Sequence, residues 1–188
     1  MEDSGNHVSS QKTGGVGEKT VVMLHGSAKS ALGDRLSRDF RIIAVEVRTA
    51  HDLAGALKQH NISNFSLVAD SLSASAAMAF ALESGDSLET LTLIAPQAIS
   101  TNGAAKDLPL EEIKPPTLVL FGTRDEVAAQ ESGRIFARRI PRCFYTLVYD
   151  AGRDIVADRP DALYAVVRDF LLYADKFVFP HEDSAINP

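Results

Sequence analysis

A single cysteine, Cys143, leaves no partner for an intrachain disulfide, cannot build a cysteine-based zinc site, and fits a reducing compartment. There is no basic excess either. Nineteen Lys and Arg stand against 25 Asp and Glu, a formal charge of −6, so nothing is available to neutralise a nucleic-acid backbone. Long apolar runs are missing as well: the longest, residues 74–82, is less than half of the ~20 residues a helix needs to cross a bilayer, and it reads as a buried core helix. Residues 1–18 are polar and rich in Gly and Ser, without the apolar stretch of a secretory signal. These absences predict a cytoplasmic protein with neither a membrane nor a nucleic acid as partner.

What is present has the balance of a globular chain. Hydrophobic residues at 45% and charged residues at 23% exclude a disordered or fibrous protein, and 188 residues suffice for one domain with a buried core. Residues 1–19 carry no apolar periodicity and are expected to form a disordered polar tail. Six short β-branched or Leu-rich runs follow, at 20–24, 41–47, 65–69, 91–95, 117–121 and 144–149. Helical segments separate them, at 31–38, 51–60, 72–83, 126–140 and 160–176. In the last, Leu163, Val166, Val167, Phe170 and Leu171 share one helical face behind Pro160 as first residue. Strands that are apolar at nearly every position need cover on both faces. The prediction is therefore a doubly wound, mostly parallel α/β sheet of six strands over residues 20–176. Residues 177–188, which open with Phe177-Val178-Phe179-Pro180, form a C-terminal extension that either packs back on the domain or offers an association surface, and oligomeric state is left open.

In such sheets ligands bind beyond the carboxyl ends of the strands, at the point where strand order reverses. After the third run comes Ala69-Asp70-Ser71-Leu72-Ser73, where an apolar strand enters an Ala-rich helix through small residues. A nucleophile elbow needs small residues two before and two after its serine, and Ala69 and Ser73 stand there around Ser71. A serine-capped helix start is the alternative reading of the same residues. After the first run, His25-Gly26-Ser27 forms a turn whose Ser27 N–H, with the Leu72 N–H, would make a two-donor oxyanion hole. An ordinary strand-to-loop turn is the competing reading.

Taken together and in order, these segments resemble the α/β-hydrolase family from Val21 to about Tyr173. Leu24-His25-Gly26 is similar to its oxyanion turn and Leu67 to Ser73 to its nucleophile elbow. Phe121-Gly122-Thr123-Arg124-Asp125 is similar to the segment that delivers the acid, and Tyr149-Asp150-Ala151-Gly152-Arg153 to the turn that carries the catalytic histidine. The resemblance implies Ser71 as nucleophile, Asp125 as acid, no cofactor and no metal, and a small-molecule substrate or ligand. It also implies a spatial strand order of second, first, third, fourth, fifth, sixth. The family's first two strands are expected to be missing, and its cap to be reduced to about residues 99–114.

Arg153 stands where the histidine should. Arginine stays protonated above pH ~12 and cannot take a proton from serine, so the base is absent or supplied by another residue, His25 or His51. Two functions from different classes follow. One is a serine hydrolase of esters or thioesters with a substituted base. The other is a non-catalytic pseudo-hydrolase that binds a small anionic ligand or a protein partner, with Arg153 as a cation. Arg153 is further expected to lie close enough to Asp125 to pair with it.

Overall fold

Strands with no polar face have none to offer water, and β4 (Phe65–Ala69) and β6 (Thr117–Gly122) are buried at every position. The structure, a computed structural model, describes residues 10–13, 19–24, 31–47, 49–97 and 108–176. With β1 (Ser10–Thr13), β2 (Thr20–Leu24), β3 (Arg41–Val45), β5 (Leu88–Ile94) and β7 (Cys143–Val148), these strands make one sheet in the order β1-β3-β2-β4-β5-β6-β7. Every pairing from β3 to β7 is parallel. The order reverses between β2 and β4, so the switch point falls where those two carboxyl ends lie side by side.

Successive side chains of a strand point to opposite faces, and each face has its own core. On one, Val22, Leu24, Leu67, Val119 and Phe121 pack with residues of α2 (Ala50–Gln59), α3 (Ala74–Ser84) and α4 (Val127–Arg139), among them Leu53, Met78 and Phe136. On the other, Val21, Met23, Val68, Leu118 and Leu120 meet Leu32 and Leu36 of α1 (Ala31–Leu36) and Leu163, Val167 and Phe170 of α6 (Pro160–Tyr173). Phe170 is fully buried, and truncating such a side chain to Ala typically costs 3–5 kcal/mol. A short helix, α5 (Ile155–Asp158), joins the β7 turn to α6. Val166, expected on the buried face of α6, is only partly buried.

The six parallel strands are those read from the sequence, and their order is the one the family resemblance implies. One element is added. Residues 10–13, expected to belong to a disordered tail, form β1 and pair antiparallel with β3 from Ser10↔Val45 to Thr13↔Ile42. No apolar pattern is needed for this, because the open N–H and C=O groups of an edge strand are satisfied by any backbone laid against them. The chain therefore does carry a strand ahead of Val21. In the reduced cap, Leu110 and Ile113 are buried, and Arg139 of α4 holds the segment by donating to both carboxylate oxygens of Glu111 and to the Leu108 carbonyl. Residues 98–107 and 177–188 lie outside the described residues.

Candidate active site

Parallel order gathers the carboxyl ends of β4, β6 and β7 on one rim. Ser71 follows β4, Asp125 follows β6 and Arg153 follows β7. What aims Arg153 is Gly122, the last residue of β6. A Cβ there would sit 2.1 Å from the Ala151 carbonyl oxygen and 2.3 Å from that of Gly152, so only glycine lets the 151–152 backbone cross the end of β6. The crossing starts at Asp150, in left-handed conformation with φ 55°, and is pinned by the Arg124 N–H donating to Ala151 O at 2.8 Å. The Gly152 N–H donates to Asp158 Oδ2 at 2.7 Å. Beyond it, the Arg153 side chain turns back over the rim and its Nη2 donates to Ser71 Oγ at 3.2 Å. Two strands separate β4 from β7, a span of about 14 Å between strand axes, and the turn and the long arginine stem cover it together.

The β4-to-α3 turn is organised by Asp70. Its Oδ1 accepts from the N–H groups of Leu72 and Ser73, both at 3.3 Å, and from Ser73 Oγ at 2.9 Å, while the Asp70 N–H donates back to Ser73 Oγ at 3.1 Å. This is a reciprocal cap on the start of α3. Two consequences touch the chemistry. The Leu72 N–H, one of the two expected oxyanion donors, is spent on a carboxylate of its own turn. Ser71 is not among the described non-glycine residues of positive φ, so no left-handed strain is stored at it. The Leu72 side chain is left 66% exposed beside the rim. The role of Asp70 is readable in the sequence, since an acid three residues before a Ser that opens an Ala-rich run is a helix-start pattern.

The expected Arg153–Asp125 pair is not formed. Asp125 Oδ1 accepts from the Glu126 N–H at 2.8 Å, which turns the carboxylate toward the start of α4, and its Oδ2 is buried with no hydrogen-bond partner among the described residues. The neighbouring cation, Arg124, is taken by Asp150 at 3.2 Å and Asp158 at 3.4 Å. Arg153 is exposed and has no ion-pair partner among the described residues. Its guanidinium keeps four of its five N–H groups for other acceptors. Of the histidines offered as a base, His51 is exposed in the first turn of α2, with no hydrogen bond to Ser71. His25, together with the other oxyanion candidate Ser27, lies outside the described residues.

As arranged, Arg153 presses a donor on the lone pair with which Ser71 would attack, and it cannot accept the Ser71 proton. Away from the rim, burial pushes the Cys143 thiol up to about 12, so it is protonated and unreactive at neutral pH. Among the described residues no group of three or more His, Cys, Asp or Glu is placed to hold a metal ion, and no helix is long and apolar enough to cross a membrane.

No protein-family model matches the chain. Protein ABHD14A of Rattus norvegicus is 32% identical over 175 residues, an alignment that covers 80% of this chain and 71% of the rat protein. ABHD14A of Mus musculus is 28% identical over 151 residues, covering 80% of this chain and 57% of the mouse protein. Among solved structures, a CIB-like hydrolase from Thermoplasma acidophilum superposes with a TM-score of 0.72 at 15% identity, over 87% of this chain and 91% of that one. An esterase from Thermogutta terrifontis gives 0.71 at 19% identity, over 88% and 93%. The carboxylesterase CesB from Bacillus subtilis gives 0.71 at 15%, over 88% and 87%. At these identities the likeness to the solved structures is one of fold.

Proposed function

The chain belongs to the α/β-hydrolase family, and from that premise we propose that it is a non-catalytic member whose acyl-transfer site has become a binding site for a small anion. The observation that carries this reading is the 3.2 Å contact from Arg153 Nη2 to Ser71 Oγ. It puts a permanent cation where a base is needed and spends the serine oxygen as an acceptor. The same guanidinium, exposed and without a carboxylate among the described residues, keeps a fork of donors suited to a carboxylate or a phosphate. Titration calorimetry with acetate and with inorganic phosphate, on the protein and on Arg153→Ala, tests it. The wild type is expected to bind and the variant to lose roughly tenfold or more, the worth of a charged hydrogen bond. Equal binding by both proteins removes Arg153 from any ligand role.

One observation favours a second reading, a serine hydrolase of esters or thioesters that draws its base from elsewhere. Asp125 Oδ2 is buried and unpartnered, which is how a triad acid stands when its imidazole is missing. Ser71 would be the nucleophile, the N–H groups of Ser27 and Leu72 the oxyanion donors, and His25 or His51 the base. Labelling of wild-type Ser71 by a fluorophosphonate at an enzyme-like rate supports this reading over the first.

A further inference from the structure

Arg153 rests on Ser71 only if the root of its side chain is held, because leverage works against the contact. An arginine stem reaches about 6–7 Å from its Cα, so a rotation of about 15° at that root displaces the guanidinium by about 1.5–2 Å. The contact to Ser71 Oγ stands at 3.2 Å, and a displacement of that size takes it out of hydrogen-bond range. The residue directly before Arg153 is Gly152, which has no side chain of its own to anchor the backbone.

Upstream of Gly152 the turn is fixed to the end of β6. The Asp150 N–H donates to Thr123 Oγ1 at 2.9 Å, the Arg124 N–H to the Ala151 carbonyl at 2.8 Å, and Arg124 Nη2 to the Asp150 carbonyl at 2.9 Å. Downstream, Ile155 is buried, and α5 is capped by Asp154, whose Oδ1 accepts from the Ala157 N–H at 3.1 Å. Asp158, the last residue of α5, spans the gap between these two anchors. Its Oδ2 accepts from the Gly152 N–H at 2.7 Å and lies 3.4 Å from Arg124 Nη2, so one oxygen ties the glycine both to α5 and to the fixed part of the turn. A Cβ on Gly152 would lie 3.2 Å from that oxygen, so glycine is also what lets the carboxylate come this close. The contact closes residues 152–158 into a ring that contains Arg153.

We propose that Asp158 is the positioning residue of the Ser71–Arg153 rim: without touching a bound anion, it holds the root of the Arg153 side chain so that the guanidinium meets Ser71 and presents its remaining donors to the anion. The inference rests on the reading of that rim as an anion site. Its sign is opposite to that of simple electrostatics. A carboxylate near an anion repels it, so removing Asp158 would strengthen binding if charge were all it contributed, whereas removing a positioning residue weakens binding.

Titration calorimetry with acetate and with inorganic phosphate on Asp158→Ala and Asp158→Asn tests this, with the heteronuclear NOE of the Arg153 side-chain Nε–H as a readout that needs no ligand. Asp158→Ala is expected to bind about three- to tenfold more weakly than wild type, the worth of the hydrogen bond it removes. Its NOE should fall toward the value in Ser71→Ala, where the guanidinium has lost its partner. Asp158→Asn keeps an oxygen for the Gly152 N–H and is expected to retain the wild-type NOE and to bind at least as tightly as wild type. With Arg153→Ala already in place, Asp158→Ala should cost nothing further, because its effect runs through Arg153. Should Asp158→Ala not fold, Asp158→Ser, whose oxygen is one bond short of the Gly152 N–H, is read in its place. Should the wild type bind neither anion, the anion reading is what fails, and the NOE still decides whether Asp158 positions Arg153. The inference is overturned if Asp158→Ala keeps the wild-type NOE. It is equally overturned if a wild type that binds is matched or exceeded by Asp158→Ala, or if Asp158→Ala weakens binding by the same factor with Arg153 gone.

Discussion

Replacing Arg153 by His separates a site that has lost one part from a site that has lost its geometry. The substitution acts twice. It lifts the guanidinium off Ser71 Oγ, and it puts an imidazole on the turn that crosses the end of β6, the strand after which Asp125 stands with a buried carboxylate oxygen that has no partner among the described residues. One ring nitrogen would donate to that oxygen and the other would take the Ser71 proton, with Asp125 fixing the tautomer. A positioned general base is worth typically ~10²–10⁴ in rate. The Leu72 N–H remains on Asp70, however, and one missing oxyanion donor costs about 10²–10³. That donor is missing in both proteins and cancels in their ratio, so the expected gain on nitrophenyl acetate is about 10²–10⁴-fold over wild type. Adding Asp70→Gly frees the donor for up to about 10²–10³ more, at a cost of a few tenths of a kcal/mol in helix capping. Initial rates, with Ser71→Ala as background and melting temperatures to show that each variant folds, measure the effect. A folded Arg153→His no faster than wild type refutes the idea that only the base is missing. A wild type that already turns over through Ser71 at enzyme-like rates refutes the binding reading, and His25 and His51 then become the first candidates for the base.

Gly122→Ala is expected to destabilise by at least about 2 kcal/mol, because its Cβ would lie 2.1 Å from a backbone oxygen that must move; an unchanged denaturant midpoint would contradict the crossing at the end of β6. Thr92→Val should raise stability by about 1 kcal/mol, since Thr92 is fully buried and its hydroxyl has no partner, and a fall in midpoint would mean that the hydroxyl is satisfied in solution. The Tyr164 hydroxyl, with Arg168 beside it, holds the Asp39 carboxyl below its ordinary 3.8. A depressed folded value gives stability that is present above the ordinary carboxylate range and is lost as pH falls through the folded value. Asp39→Asn should accordingly flatten the fall in melting temperature below about pH 4, and a parallel pH profile would show that the contact contributes nothing.

Much of this protein is written locally. Five of the six predicted runs match their observed strands to within two residues at either end, and the sixth, 91–95, starts three residues late, because apolar residues at every position admit few outcomes but a covered parallel strand; α6 is marked at its start by Pro160 and along its face by Leu163, Val167 and Phe170. That Ser71, Asp125 and Arg153 share a rim also follows from sequence, once the strands are parallel, because each stands just past a strand's carboxyl end. What the sequence could not say is which group touches which. β1 exists because β3 has an open edge, and its residues carry no apolar signal of their own. Arg153 is nearer to Asp125 in strand order yet binds Ser71, because Gly122 admits a backbone crossing that redirects a long side chain and because Asp125 has turned to the Glu126 N–H. The Leu72 N–H was a free donor on paper and is occupied in space. Strand and helix arise from periodicity, which a linear chain displays, whereas the partner of a polar atom depends on distances of a few ångströms between residues as far apart as 71 and 153, which only the packed fold decides.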